Sequence, residues 1–428
     1  MPMERQAHAH ALRLRFPGRA RQSPAVHKGM DEPHQMPQKK TSALPVFLAF
    51  LAMGFGDAAG PLVSQAKEYF GLSNFAAQLI PFVGMIMFGV LSVPMGIFQD
   101  RKGKKIVLLL GLAVMFGGLV LPALKYVMPY PFEFFLVTVL LIGAGATVLQ
   151  VAGNPIMRDV SAEGKYSRNL SLGQFVKAIG SLSGALIPVL AARYFNVGKE
   201  AMFAIFPIFG VAVLVALFAN LGLEVKEERG DGHKPATFAS SLEMLKNGYV
   251  AMMIFALFLY VGAEVSLSSG IPIYLHDRFM VDTTRIGLLG TGVFFLALTI
   301  GRFSGGVILN WMKPKTFFVI TCVLSLLGLV CMFLPSATLA AAGFFLIGLG
   351  FANIFPLIFS IVIDRIPERA NELSGLMVMA IVGGAIVPPI MGLVADATKS
   401  VQTGFVVPLL AVLYITYTAT ANLKSTKA

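Results

Sequence analysis

The sequence predicts an all-α membrane protein whose twelve transmembrane helices form two pseudo-symmetric bundles of six. Three observations indicate this class: a very apolar composition, twelve apolar stretches of transmembrane length, and short strings that recur between the two halves. Hydrophobic residues make up 56% of the chain and charged residues 13%, with a mean hydropathy of +0.76. A soluble domain needs a more polar surface than this composition supplies, so the natural solvent is a lipid bilayer.

The apolar stretches fall into two sets. Each is long enough to cross a hydrocarbon layer of about 30 Å, which takes about 20 helical residues. The first set lies near residues 43–64, 77–99, 105–125, 132–157, 169–192 and 202–223. The second lies near 247–275, 286–311, 315–334, 338–363, 371–395 and 402–421. We number them spans one to twelve, and call spans one to six the first half and the others the second half.

Polar segments bound the predicted domains. These are a disordered basic extension (1–40), a first six-helix bundle (41–223), a cytoplasmic linker (224–246), a second bundle (247–423) and a short tail (424–428). The extension lacks the apolar core of a signal peptide. Three interpretations remain open: a disordered arm, a gene start placed upstream of a true start at Met30 or Met36, and, less favoured, a metal-binding tail.

Positive charge predicts the orientation. An even number of spans puts both termini on one side, and most of the 34 Lys and Arg residues fall in segments on that side. Because short cytoplasmic loops carry such an excess, we expect a multi-pass protein of the inner membrane with both termini in the cytoplasm. The formal charge of +12 lies in loops rather than on one face of a soluble domain, so it does not indicate nucleic acid.

Two strings recur between the halves. Leu141–Gly145 in span four returns as Leu346–Gly350 in span ten, and Gly184–Pro188 in span five returns as Gly384–Pro388 in span eleven. Many carriers place their binding site between two related halves. The repetition therefore favours a transporter over other polytopic proteins.

The loop between spans two and three carries a motif. It places Gly96, Asp100, Arg101, Gly103 and Lys104 in the pattern G-x-x-x-D-R-x-G-K. This resembles the loop motif of the major facilitator superfamily. We expect Asp100 to accept hydrogen bonds from a facing helix start, and the basic residues to hold the loop at an anionic leaflet.

A closer resemblance runs from span one to the end of the chain. The strings that carry it are Phe70–Phe75, Gly153–Pro155, Tyr260–Glu264, Gly301–Gly305 and Ile381–Gly392. They are similar to those of the fucose permease family of sugar–proton symporters, which includes carriers for fucose, glucose, galactose and amino sugars. The resemblance implies the major facilitator fold, alternating access, proton coupling and a small sugar as substrate.

Four ionisable residues lie within spans, where charge is costly and usually functional or paired. Asp57 in span one and Glu264 in span seven occupy similar depths in the two halves, and each is a candidate to carry the coupling proton or simply to bond a neighbouring helix. Lys177 in span five needs a partner, and Asp57 is the best candidate because the family packs span five against span one. Arg302 in span eight is interpreted as a structural ion pair or a snorkelling side chain.

Neutral polar residues supply further candidates for binding a sugar. Gln150 and Asn154 lie one turn apart on span four, Gln174 precedes Lys177 by three residues, and Asn353 lies near the repeat position of span four. A sugar also needs an aromatic face, for which Tyr260 is our first candidate. The alternatives are Tyr274, Phe294 and Phe355.

The chain departs from the fucose permease pattern at three positions. The family's coupling glutamate falls at Gln150, its span-one aspartate at Gly60, and an asparagine of its sugar site at Lys177. Gln150 cannot carry a proton, whereas Asp57, one turn before Gly60, is able to replace the lost aspartate. Facilitated uniport and efflux of another small solute therefore remain alternatives to symport.

Other classes of function lack support in the sequence. A polytopic enzyme would need a nucleophile with a base, or metal ligands, clustered at one membrane depth, and neither pattern occurs. The two cysteines, Cys322 and Cys331, lie more than two helical turns apart in one span, so neither a disulfide nor a metal site is expected. We expect no cofactor, a lipid bilayer, a small sugar and protons as partners, and function as a monomer.

Overall fold

The protein is described by a computed structural model that covers residues 43–56, 66–67, 69–72, 74–195, 200, 203–225, 235–280 and 292–424. The first half consists of the helices Leu44–Gly56, Asn74–Lys102, Lys104–Val120 with a 3₁₀ extension Leu121–Tyr126, Phe132–Asp159, Tyr166–Phe195 and Ile205–Leu221. These six helices lie in spans one to six in order.

The linker and the second half are also helical. The linker contains a short helix, Phe238–Glu243, followed by the 3₁₀ turn Met244–Lys246. Spans seven, eight and nine are Gly248–Phe279, Val293–Ile308 and Pro314–Met332. Span ten is Ala337–Phe351 and Ile354–Arg365; span eleven is Ala370–Met379 and Gly383–Thr398; span twelve is Val401–Gly404 and Val406–Lys424.

The helices have the length and composition of membrane spans. Eight helical segments of the described chain are long and apolar enough to cross a bilayer, and the helices Leu44–Gly56, Ile205–Leu221 and Val293–Ile308 are apolar but shorter. Because a bilayer core cannot satisfy open backbone groups, an apolar chain of this kind must be helical there. The predicted all-α membrane fold is confirmed, and the exact count of twelve spans stays a prediction.

The repeated glycine strings pack in the same way in both halves. A Cβ atom at Gly143 in span four would lie 2.6 Å from the Gly84 carbonyl oxygen of span two. At the matching Gly348 in span ten it would lie 2.5 Å from the Phe294 carbonyl oxygen of span eight. Only glycine lets two membrane helices approach so closely. The recurrence seen in the sequence therefore reflects one helix contact built twice.

Spans ten and eleven, which the sequence predicts as continuous, each contain a break near their middle. Span ten turns at residues 352–353 before it resumes, and span eleven passes through a 3₁₀ turn, Ala380–Val382. The break in span ten coincides with Asn353, whose side-chain Nδ2 donates to the carbonyl oxygen of Gly301 in span eight over 2.7 Å. The irregular backbone of span ten is therefore packed against span eight, as expected for a helix break at membrane depth, which occurs where the chain is buried in protein.

Candidate transport site

An ion pair lies in the middle of the second half. The Nη2 of Arg302 is 3.5 Å from the Oε1 of Glu264, with the two side chains 15% and 18% exposed. Span eight supplies the arginine and span seven the glutamate. The two residues that the sequence identifies separately are therefore neighbours, and the arginine supplies the positive charge that a carboxylate at this depth requires.

Polar atoms with spare bonding capacity surround this pair. Tyr260 lies one turn before Glu264, is 1% exposed, and its ring centroid stands 5.5 Å from that of Phe351. Within the described residues, neither the Tyr260 hydroxyl nor the Nε of Arg302 makes a hydrogen bond of standard geometry, although the hydroxyl lies within reach of both Glu264 and Arg302. Buried polar groups are nearly always bonded, so these two atoms are suited to a ligand or a water molecule.

Span one approaches span five at backbone distance. A Cβ atom at Gly54 would collide with the carbonyl oxygen of Lys177, and one at Gly180 with that of Leu51. The expected contact between the two spans is therefore present, and Lys177 is half-buried beside it. Asp57 lies outside the described residues, so its pairing with Lys177 stays a prediction.

Three amide side chains of the first half are buried: Gln150, Asn154 and Gln174 are 2%, 0% and 3% exposed. In the part of the chain that the structure describes, both side-chain polar atoms of Asn154 and the Nε2 of Gln174 lack a hydrogen-bond partner. The Tyr166 hydroxyl donates to the backbone carbonyl of Asn154 over 3.1 Å, which places this residue close to the start of span five.

Asn353 has a different environment from these amides. Its Nδ2 bonds the Gly301 carbonyl, and its amide group fills the space beside Gly305, where any Cβ atom would collide with it. This side chain fixes span ten to span eight next to Arg302. Its assignment as a sugar ligand stays a prediction, and its visible role is helix packing.

The loop motif lies where the two halves meet. Asp100 accepts hydrogen bonds from the backbone N–H of Ala236 in the linker (2.8 Å) and from the Nδ2 of Asn371 at the start of span eleven (3.2 Å). Arg101 donates to the Ala236 carbonyl oxygen over 3.0 Å. We call this end of the bundle, which also holds the linker, the linker end. Asp100 therefore accepts bonds as the sequence predicts, from the linker as well as from span eleven.

Glycine and lysine complete the loop motif. Gly103 has a φ of 97°, a left-handed conformation that favours glycine and allows the tight turn into span three. The Nζ of Lys104 forms a buried ion pair of 2.7 Å with Asp159 at the end of span four. The Lys104 side chain therefore bonds inside the first half instead of reaching a leaflet, and the expectation that the basic cluster of the loop lies at an anionic leaflet stays a prediction.

Four further contacts close the linker end between the halves. The Nε of Arg158 is 3.2 Å from the Oδ1 of Asp364, and the Ser167 and Ser360 hydroxyls are 2.7 Å apart. The other two are Arg168 Nη1 to Asn310 Oδ1 (3.2 Å) and Ser374 Oγ to the Val151 carbonyl oxygen (2.7 Å). Our sequence reasoning missed them, although the opposite charges that end spans four and ten at matching repeat positions are a visible signal.

The fold, together with the Glu264–Arg302 pair and the buried amides of the first half, defines a polytopic membrane carrier built from two related helical halves. The chain belongs to the Major Facilitator Superfamily, whose family model matches residues 46–389. In the described residues, no three His, Cys, Asp or Glu side chains come together as a metal site would require.

Curated relatives and solved structures resemble most of the chain. It is 27% identical over 382 residues to a glucose/galactose transporter of Brucella abortus biovar 1 (strain 9-941), covering 85% of this chain and 89% of that one. It is 27% identical over 393 residues to the L-fucose-proton symporter of Escherichia coli (strain K12), covering 83% and 87%.

The crystal structure of FucP in the outward conformation superposes with a TM-score of 0.75 at 23% identity, covering 88% of this chain and 97% of FucP. The predicted resemblance to the fucose permease family is confirmed by these similarities.

Proposed function

We propose that this protein imports a small sugar, a hexose, deoxyhexose or amino sugar, together with protons, by alternating access across the inner membrane. The observation that carries the proposal is the Glu264–Arg302 pair next to Tyr260 in the middle of span seven. The relatives named glucose/galactose transporter and L-fucose-proton symporter support a hexose or deoxyhexose as substrate.

The proposed mechanism links the proton to the sugar through this pair. When Glu264 is ionised, it holds one face of the Arg302 guanidinium. A proton on the carboxyl group removes that charge, and the guanidinium is then able to donate hydrogen bonds to sugar hydroxyls. The Tyr260 hydroxyl supplies a further polar contact and its ring an apolar face. Proton and sugar therefore favour the same state, which is what symport requires.

The first half supplies the other groups in this proposal. Gln150 binds sugar hydroxyls, and Lys177 with Asp57 forms a second acid–base pair at the depth of the first. Because Gln150 has no proton to carry, coupling rests on Asp57 and Glu264. We also propose that the linker end faces the cytoplasm, that both termini lie there, and that the protein works as a monomer.

Facilitated uniport is the second candidate. It is favoured by the arginine at 3.5 Å from Glu264, because a carboxylate already neutralised by a cation does not need a proton to exist at this depth. Under this alternative the pair only fixes span eight to span seven, and the sugar moves down its own gradient.

Uptake into proteoliposomes separates the two functions. Radiolabelled hexoses, deoxyhexoses and amino sugars are offered with and without an imposed inward proton gradient. Symport predicts accumulation above equilibrium only with the gradient, and the variant Glu264→Gln is expected to abolish accumulation while sugar exchange persists. Glu133→Gln, which alters an exposed carboxylate at the start of span four, is the matched control. Accumulation by Glu264→Gln with unchanged pH dependence would remove Glu264 from the coupling mechanism.

A further inference from the structure

A seam between the first half and span ten runs inward from the linker end. On span four the seam begins at Arg158, which meets Asp364 of span ten. Residues four apart on a helix share a face, so Asn154 occupies the same face one turn further into the membrane. Because Arg158 contacts span ten, the helical face that carries Asn154 is also turned toward span ten.

Span five contributes the opposite wall of the seam. Ser167 meets Ser360 of span ten at the linker end. Ser171 and Gln174 follow at four and seven residues, on the same helical face. Polar side chains from two helices therefore face span ten just inside the contacts that join the halves.

These inner polar side chains are buried with open bonding capacity. Asn154 and Ser171 are 0% exposed, and Gln174 is 3% exposed. Among the described residues, the Asn154 Nδ2 and Oδ1, the Ser171 Oγ and the Gln174 Nε2 have no protein partner for a hydrogen bond. Four such atoms on neighbouring faces are far from the usual rule that buried polar groups are satisfied. Ordered water is the common solution for a polar, enclosed site.

A sugar is a poor match for the inner end of this seam in the closed state. The Asn154 backbone is held by Tyr166, and the bonds at Arg158 and Ser167 enclose the level below. A water molecule needs only a small volume and two to four polar partners, and four unbonded polar atoms lie at this level in the described residues.

We propose that ordered water molecules bridge Asn154, Ser171 and Gln174 to span ten and form part of the gate at the linker end. These polar atoms are already hydrated while the gate is closed. When the gate opens, bulk water replaces the ordered water at the same atoms. The gate therefore opens without first breaking strong direct bonds at this level. The inference rests on the proposed transport function, but the water itself is measurable without transport.

Radiolytic hydroxyl labelling of the full chain in lipid nanodiscs tests for this water. Tyr166 is the reporter, because it is 4% exposed and bonds Asn154 directly. Phe135 is the dry reference; it lies on span four, the helix of Asn154, is 0% exposed and packs against Phe70 and Phe206. We expect Tyr166 to label several-fold faster than Phe135 in microsecond exposures. Equal rates after correction for intrinsic reactivity would show a dry seam and overturn the proposal.

The variant Ser171→Ala distinguishes bound water from a transient opening of the gate. It is expected to slow Tyr166 labelling several-fold, because one of the groups that hold the water is lost. Thr418→Val is the matched control, since the Thr418 hydroxyl is buried and bonds a carbonyl of its own helix. Undiminished labelling of Tyr166 in Ser171→Ala would assign the signal to gate opening and refute the bound water.

Transport kinetics test the role of the water. Ser171→Ala is expected to lower the turnover number several-fold with little change in KM, because opening slows while sugar contacts remain. An Asn154→Leu variant that raises KM at constant turnover would make Asn154 a sugar ligand and overturn the gate assignment. If the wild-type protein transports no sugar under any gradient, the proposed function is wrong. The Tyr166 labelling experiment still tests for the bound water, because it does not depend on transport.

Discussion

Spans two and eleven touch through two glycines, and alanine at either position should shift the balance between the two states of the carrier. A Cβ atom at Gly96 would lie 2.8 Å from the Asn371 carbonyl oxygen and 3.1 Å from the Gly375 Cα. A Cβ atom at Gly375 would lie 2.8 Å from the Ser92 carbonyl oxygen. These neighbours are backbone atoms of the opposite half, so relief requires the halves to separate.

The magnitude follows from the cost of overpacking. An added methyl group in a tight contact typically costs about 1–3 kcal/mol. Under the proposed alternating access this contact is lost when the linker end opens, so the open state does not carry this cost. A shift of this size changes the ratio of closed to open protein by roughly 5- to 150-fold. Gly96→Ala is therefore expected to populate the state that is open at the linker end.

Thiol labelling measures this population. In a background without Cys322 and Cys331, Ser360→Cys places a thiol at a position that is 0% exposed, where the halves meet. Its reaction with a maleimide requires the linker end to open, so the labelling rate reports the open fraction. We expect Gly96→Ala to raise the labelling rate by roughly 5- to 150-fold. The increase stops once most of the protein is in the open state.

Two glycine controls separate gate opening from general damage. Gly143→Ala creates a comparable clash, 2.6 Å from the Gly84 carbonyl oxygen, but inside the first half. It should lower the melting temperature without raising the labelling rate. Gly117→Ala meets no atom within 4 Å and should change neither. Labelling of Gly96→Ala at the rate of Gly117→Ala would refute the reasoning.

Two further predictions concern charge. Lys177→Met and Asp57→Asn should each lower the melting temperature, since breaking a buried pair typically costs about 3–5 kcal/mol, and the double variant should recover stability without coupled transport. Additive losses in this double-mutant cycle would show that Lys177 depends on another group. Single cysteines at Gly232 and Lys199 test the orientation, because only the one at 199 should react with an impermeant reagent in intact cells. Reaction at 232 would reverse the predicted topology.

The fold could be predicted from the sequence because its signals are local. Apolar length marks the spans, and the recurrence of Leu141–Gly145 as Leu346–Gly350 marks the same glycine contact in each half. Glu264 and Arg302 could each be recognised as costly at their depth. Their pairing at 3.5 Å needed the structure, since it depends on how spans seven and eight are rotated.

The contacts between the halves could not be predicted in the same way. Asp100 bonds Ala236, more than 130 residues away in the chain, through a backbone N–H that every residue except proline would offer. From the sequence alone, Lys104 is expected to contact lipid headgroups, because its ion pair with Asp159 becomes apparent only in the structure. Such pairs carry no local periodicity in the sequence.

Two ion pairs, one within the first half and one between the halves, differ in their exposure to solvent, and this difference fits the proposed alternating access. Lys104 and Asp159 pair inside the first half at 2.7 Å with side chains 5% and 3% exposed, so losing one partner would leave a buried charge uncompensated. Arg158 and Asp364 pair between the halves at 3.2 Å with side chains 22% and 49% exposed. Ion pairs this accessible contribute only about 0–1 kcal/mol, because water and salt screen them. Under the proposed function, such exposed ion pairs add little to the closed state of the linker end, so differential binding of a sugar and a proton is able to reverse that state.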